Sequence, residues 1–239
     1  MKFPSLLQRG RLLRRYKRFL ADVRLDDGTE LTAACPNTGS MLGLCEPGCT
    51  VWLSRSDSLS RKYPHTWELV EHDLGDGPKL VGINTSLPNK LVEEAITDGT
   101  IGELGGYPVL RREVKYGVNS RIDLLLEGAD GRRCYVEVKN VHMSRRAGLA
   151  EFPDCVSERA AKHLVELSAM VAEGHRAVMV YLIQRGDTAA FRLAGDMDPK
   201  YFSGFAAATS AGVEALAYDC DVRTDGIWVT KRLPFAPLH

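Results

Sequence analysis

Three residues in the second half of the chain have the types and spacing needed to work on a phosphodiester: Asp123, Glu137 and Lys139. Glu137 and Lys139 flank Val138 at the end of a strand-like run, residues 134–138, and the two-residue period of a strand puts both on one face. Asp123 lies at the start of the preceding run, residues 121–126, and joins them there if the two strands are neighbours. Two carboxylates a few ångströms apart repel by roughly 1–4 kcal/mol at surface-like dielectric. Such a pair requires a proton, a cation or a metal. Mg²⁺, with Mn²⁺ as a substitute, suits the site because it takes hard oxygen ligands and keeps waters that bridge to phosphate. Asp123 and Glu137 would hold the ion and the Val138 carbonyl would add an oxygen. Lys139 would orient or deprotonate the attacking water and stabilise developing charge. A Glu-x-Lys triplet alone is also ordinary on a solvated strand, where a cross-strand ion pair explains it.

The elements around this triad form a pattern. Pro88 and Asn89 open a helix containing Leu91, Val92, Glu94, Ala95 and Ile96. Strands are expected at residues 109–116, 121–126 and 134–138. Asp154 or Ser157 can cap the next helix, whose apolar stripe is Ala160, Leu164, Leu167 and Val171 and which Gly174 ends. Residues 177–183 are an unbroken apolar run, a strand covered on both faces. Asp198 and Pro199 then start a further helix before a strand at residues 213–218. This αβββαβ order, with a mixed sheet, resembles the core of the PD-(D/E)xK nucleases, with Ile122 standing where that label has proline. Glu94 is a candidate further carboxylate, against the plainer reading of a helix-surface glutamate. Glu113 and Lys115 repeat the spacing without an upstream acid and serve as a supporting ion pair or a DNA-facing edge. Arg159 and Lys162 share a helical stripe with His163 and Glu166 and are candidates for phosphate contact.

The first half has a different rhythm. Residues 12–25 predict one long strand with Phe19, Ala21, Val23 and Leu25 facing inward, followed by a turn at Asp27-Gly28 and a strand through Leu31, Ala33 and Cys35. Residues 50–54, 66–72 and 79–83 continue the pattern. Five short strands without a long helix fit an OB-like barrel, so the expected organisation is a nucleic-acid-binding domain at 1–85 and a nuclease-like domain at 86–239. Arg14, Tyr16 and Arg18 fall on the opposite parity to the core positions, and with Arg15 and Lys17 they make a cationic and aromatic stretch suited to DNA phosphates and bases. A solvated strand face is the alternative. Arg61, Lys62, His65 and Trp67 form a second basic and aromatic cluster assigned to the same binding face.

Composition sets limits on these readings. The 239 residues are 44% hydrophobic, enough for one large core or two smaller ones, and 31 Lys+Arg balance 31 Asp+Glu, so any nucleic-acid site is local. The cation-rich first twenty residues lack an apolar run of signal-peptide or membrane-span length, which makes a cytoplasmic protein without membrane attachment the expectation. Six scattered cysteines then imply reduced thiols, and the spacing of Cys45 and Cys49 with Cys35 and His65 is not that of zinc knuckles. The loop from Pro36 to Gly39 could present backbone N–H groups to a phosphate, or simply turn between barrel strands. No phosphate-binding Walker loop, dinucleotide fingerprint or nucleophile elbow occurs.

Several distinctive segments occur in order: Arg15-Tyr16-Lys17-Arg18-Phe19, Cys35-Pro36-Asn37-Thr38-Gly39-Ser40-Met41, Arg61-Lys62-Tyr63-Pro64-His65-Thr66-Trp67-Glu68, Glu113-Val114-Lys115-Tyr116-Gly117, Ser120-Arg121-Ile122-Asp123 and Tyr135-Val136-Glu137-Val138-Lys139. Across almost its full length the chain resembles the sugar fermentation stimulation protein family. The resemblance implies an OB-like domain, a nuclease-like domain, DNA binding with little sequence preference and a regulatory link to sugar catabolism, including maltose use. Two functions follow as expectations: a Mg²⁺-dependent nuclease, or a non-catalytic DNA-binding regulator on a nuclease scaffold. A small-molecule enzyme acting on a sugar phosphate is the third class.

Overall fold

The computed structural model describes residues 1–237. The first half folds into β1 (Gln8–Tyr16), β2 (Leu20–Leu25), β3 (Glu30–Ala34), β4 (Thr50–Arg55), β5 (His65–His72) and β6 (Lys79–Gly82). Their order is β3-β2-β1-β4-β5-β6, and a further pairing of Ala34 with Thr66 joins β3 to β5 and closes β1–β5 into an OB-like barrel. Leu12, Val23, Val51, Leu53, Trp67 and Val81 fill it. β6 lies outside the ring on β5, so the five barrel strands are not the five expected.

The difference starts at residues 12–25, which are two strands rather than one. Tyr16 pairs with Leu20 and Arg15 with Ala21 across a three-residue turn, Lys17-Arg18-Phe19. The turn contains no Gly, Asn or Pro, the residues by which hairpin turns are usually recognised. Instead Lys17 and Arg18 themselves take left-handed φ values of 51° and 65°. Phe19, expected in the core, is therefore exposed in the turn, while Ala21 and Val23 are buried. Trp67 is also corrected: it is a core residue whose indole N–H donates to the Leu69 carbonyl at 2.9 Å, so it adds nothing to a binding surface with Arg61 and Lys62.

The second half comprises α1 (Pro88–Thr97), a short 3-10 turn (Gly102–Leu104), β7 (Val109–Tyr116), β8 (Ser120–Glu127), β9 (Arg133–Val141), β10 (Met143–Arg146), β11 (Gly148–Phe152), α2 (Glu158–Ala172), β12 (Arg176–Ile183), β13 (Thr188–Leu193), α3 (Pro199–Ser210), β14 (Glu214–Arg223) and β15 (Gly226–Arg232). Its main sheet runs β15-β14-β12-β9-β8-β7, with β12 parallel to both neighbours and the other pairs antiparallel. This is the expected αβββαβ core with a mixed sheet. Leu91, Val92 and Ala95 of α1 cover one face against Leu124, Val136 and Val180. Leu164 and Leu167 of α2, with Tyr201 of α3, cover the other against Tyr135, Met179 and Tyr181. Ser157 caps α2 by accepting from the Ala160 N–H, and Asp198 caps α3 ahead of Pro199.

Strands β10, β11 and β13 form a small second sheet, too short in each strand to show in the hydrophobic pattern. Residues 1–3 also join the second half, with the Met1 ammonium donating to the Ile227 carbonyl and Lys2 bridging to Gly226. The two halves touch along β6, where the Gly82 N–H donates to the Gln184 carbonyl, and through the loop of residues 36–41.

Candidate active site

β8 and β9 pair with Leu124 opposite Val136, a register that brings Asp123 beside Glu137. The ladder opens at this point, because one Asp123 oxygen replaces the backbone acceptor and takes the Val138 N–H at 2.8 Å. The other Asp123 oxygen accepts from the Asn89 amide of α1 at 2.9 Å. Glu137 shares parity with Tyr135 and so points to the α2 side, where its Oε1 accepts from Lys139 Nζ at 2.8 Å and meets His163 Nδ1. The Glu137 side chain is 3% exposed and that of Lys139 12%. Glu137 Oε2 is buried without a hydrogen-bond partner among the described residues.

The electrostatics are those of a pair lacking one positive charge. Burial first, and the Glu137 charge second, push the Asp123 carboxyl up to about 6 against the opposing bonds from Val138 and Asn89. Burial would also raise the Glu137 carboxyl, but Lys139 and His163 outweigh it and hold it below its ordinary value. Burial and the neighbouring charge thus disfavour the Asp123 anion, while Lys139 and His163 favour that of Glu137. An unpartnered carboxylate oxygen in the same cleft as a second carboxyl fits a divalent ion bound through few protein oxygens and several waters. Among the described residues no group of three or more His, Cys, Asp or Glu is placed to hold a metal.

The triad lies in a cleft of about 480 Å³ lined from both halves, with Arg18 and Thr38 from the barrel and Asn89, Asp154 and Arg159 from the second half. The barrel wall is held rigidly. Arg15 donates to the carbonyls of Asn37 at 2.8 Å, Gly39 at 2.9 Å, Arg18 at 3.0 Å and Ser40 at 3.3 Å. Asp154 then clasps this loop, accepting from the Ser40 hydroxyl at 3.0 Å and the Met41 N–H at 3.1 Å. Burial would raise the Asp154 carboxyl, but His142, Met41 and Ser40 hold it well below the usual carboxylate range. Gly39 passes so close that an added Cβ would lie 3.0 Å from Asp154 Oδ2.

The candidate contacts therefore divide. Arg18 and Arg159 join Asp123, Glu137 and Lys139 in the cleft. Lys17 is exposed at the Arg18 turn. Arg15 is spent on carbonyls. Arg14 and Tyr16 lie on another face, both bonded to Asp22, at 2.7 and 3.1 Å. Lys62 stands over the Tyr63 ring in the loop before β5 and is not among the cleft residues. Lys162 donates to the Val118 carbonyl at 2.7 Å and pairs with Glu166, also outside the cleft. Glu94 pairs with the N-terminal ammonium at 3.2 Å and contributes no carboxylate to the triad. In the loop from Pro36 to Gly39 the Gly39 N–H is taken within the loop, donating to Asn37 Oδ1 at 2.9 Å. Asn89 and Asp154 were missed as site residues. Asn89 at the start of α1 and Asp154 ahead of α2 were legible only as helix-start signals.

A closed small barrel joined to an αβββαβ domain, with Asp and Glu-x-Lys on the neighbouring strands β8 and β9, defines an OB-fold protein on a nuclease-like scaffold. The chain belongs to the sugar fermentation stimulation protein family: residues 13–83 match the family description "SfsA N-terminal OB domain" and residues 86–226 match "Sugar fermentation stimulation protein RE domain". The sugar fermentation stimulation protein homolog of Azorhizobium caulinodans is 58% identical over 234 residues, which cover 98% of this chain and 99% of that protein. The homolog of Brucella ovis is 56% identical over 239 residues, covering 100% and 99%. Among solved structures, Pyrococcus furiosus SfsA in complex with Ca²⁺ matches with a TM-score of 0.88 at 28% identity, covering 99% of this chain and 98% of that one.

Proposed function

We propose that the chain binds DNA with little sequence preference and hydrolyses phosphodiesters in the interdomain cleft with Mg²⁺ or Mn²⁺. The observation that carries this reading is the unpartnered Glu137 oxygen beside Asp123, with Lys139 2.8 Å from the same glutamate. Asp123 and Glu137 would hold the ion, with the Val138 carbonyl as a further oxygen. A bound divalent ion supplies Lewis-acid charge and lowers the pKa of a water. Lys139 would orient the attacking water and stabilise charge developing on the phosphate, and Arg18 and Arg159 would bind flanking phosphates. The Ca²⁺ in the Pyrococcus furiosus relative supports a divalent site. A cytoplasmic location and a regulatory link to sugar catabolism complete the reading, the latter resting on the family's name.

The test uses plasmid, linear duplex and single strands with Mg²⁺, Mn²⁺ or chelator. Cleavage is expected only with metal and should fall at least about a hundredfold in Asp123→Ala and in Lys139→Ala, the scale of losing one transition-state contact. One observation favours the non-catalytic regulator: Lys139 and His163 both satisfy the same Glu137 oxygen, so the site is partly neutralised without an ion. Gel shifts without cleavage under every metal would select that reading.

A further inference from the structure

The turn between β1 and β2 has features that phosphate binding alone does not use. Lys17, Arg18 and Phe19 are all exposed, Phe19 at 52%, while the next residues, Leu20 and Ala21, enter the core. Two successive non-glycine residues at left-handed φ are uncommon and need support from their surroundings. Arg15 provides it through the Arg18 carbonyl, and the same guanidinium holds the loop at Asn37, Gly39 and Ser40. Turn and loop are therefore one braced piece, and this piece is the barrel's side of the cleft. From the other half, Arg159 and the exposed Val156 line the same opening.

Arg18 lines a cleft floored by carboxylates, and the exposed Phe19 follows it in the same turn, just outside the lining residues. A cation with a ring next to it matches the way single strands are held, phosphates meeting the cations and a base lying on the ring. A paired and stacked duplex offers no free base face to such a ring. We propose that the cleft takes nucleic acid with unpaired bases, that Phe19 is its stacking platform, and that Arg18 and Lys17 hold the phosphates on either side. Arg15 is the positioning residue of this subsite. The proposal rests on the reading of the cleft as a nucleic-acid site and narrows its substrate class.

Fluorescence anisotropy of the full chain in EDTA, where hydrolysis does not intervene, compares a labelled mixed-sequence single strand with the same sequence as a blunt duplex. The single strand should bind about tenfold tighter or better. Phe19→Ala should weaken single-strand binding about tenfold, the size of one stacked base, and leave duplex binding unchanged. Phe19→Trp should keep the preference, and Phe19→Leu should lose it, which separates stacking from apolar bulk. Equal affinity for the two forms, or a Phe19→Ala protein that holds the single strand as the wild type does, overturns the proposal while nucleic-acid binding itself stands. No binding of either form overturns it together with the reading beneath it.

Discussion

Glu137 and Glu151 are both glutamates on strands of the second half, and both side chains are almost inaccessible, 3% and 1% exposed. They are treated in opposite ways. Glu151 Oε1 accepts from Arg145 at 2.8 Å and Arg192 at 2.6 Å, and its Oε2 accepts the Arg145 Nε at 2.9 Å, with Asp196 closing the network from outside. Both Glu151 oxygens are satisfied and two guanidinium charges face one carboxylate. Glu137 has one oxygen bonded, one orphaned, and a second carboxylate beside it. A buried ion pair built for structure is closed. One left open by a charge and an acceptor is built to receive something, and perturbed carboxyls in a cleft are where function concentrates.

The largest test of this contrast exchanges the two glutamates for glutamine. Glu137→Gln should reduce metal-dependent cleavage at least about a hundredfold and cost less stability than Glu151→Gln, because Lys139 and His163 lose a partner while Asp123 loses a like-charged neighbour and still balances Lys139. Glu151→Gln should leave turnover of the folded protein unchanged and cost about 2 kcal/mol in denaturant unfolding, a buried-pair value reduced because the arginines are about one-third exposed. Should Glu137→Gln cost as much stability as Glu151→Gln or more, Glu137 is a structural counter-charge and the contrast disappears.

Local periodicity made one side of this contrast legible. Tyr135, Glu137 and Lys139 alternate with Val136 and Val138, so a shared face for the acid and the lysine follows from strand geometry, and Asp123 needed only the neighbour relation of β8 and β9. The Arg145–Glu151–Arg192 network had no such signal, because β10, β11 and β13 are short and Arg192 comes from 41 residues beyond Glu151. Arg15 was misassigned for a related reason. Its charge and strand position fit a phosphate contact, and only the path of the loop at residues 36–41 brings three of its carbonyls, beside that of Arg18, onto the guanidinium. Phe19 failed through the turn, whose left-handed residues are a lysine and an arginine instead of Gly or Asn.

A third buried carboxylate gives the contrast a pH signature. Asp219 on β14 is pushed up to about 7 chiefly by burial, with weaker opposition from the Cys220 N–H and Lys231. Its folded value lies above its ordinary 3.8, so in that interval the folded chain binds the extra proton and stability falls as pH rises from about 4 to about 7. Glu151 has the opposite sign. Burial would raise it, but Arg145 and Arg192 outweigh burial and hold it below 4.5, so its contribution is present above that value and is lost as pH falls through the folded value. Urea unfolding across this range should show Asp219→Asn removing a decline of about 2 kcal/mol toward neutral pH, and Glu151→Gln removing a loss at the acid end. A wild-type slope retained in Asp219→Asn would assign the decline to another group.

The smallest expected effect discriminates most finely, because it asks whether the open pair takes a cation without asking for turnover. A ligand that binds only the folded state stabilises it by about 1.4 kcal/mol at ten times its dissociation constant. Titrating Mg²⁺ or Ca²⁺ into chelator-treated protein should therefore raise the melting temperature of the wild type and of Glu151→Gln alike, since the closed network has no free oxygen to offer. Asp123→Asn and Glu137→Gln should show little of that rise, each having lost one of the two charges that make the orphaned oxygen attractive to an ion. A shift of equal size in all four proteins would place the cation elsewhere on the chain. The openness of Glu137 would then require another explanation, such as a water shared with the buried and unpartnered Tyr116 hydroxyl.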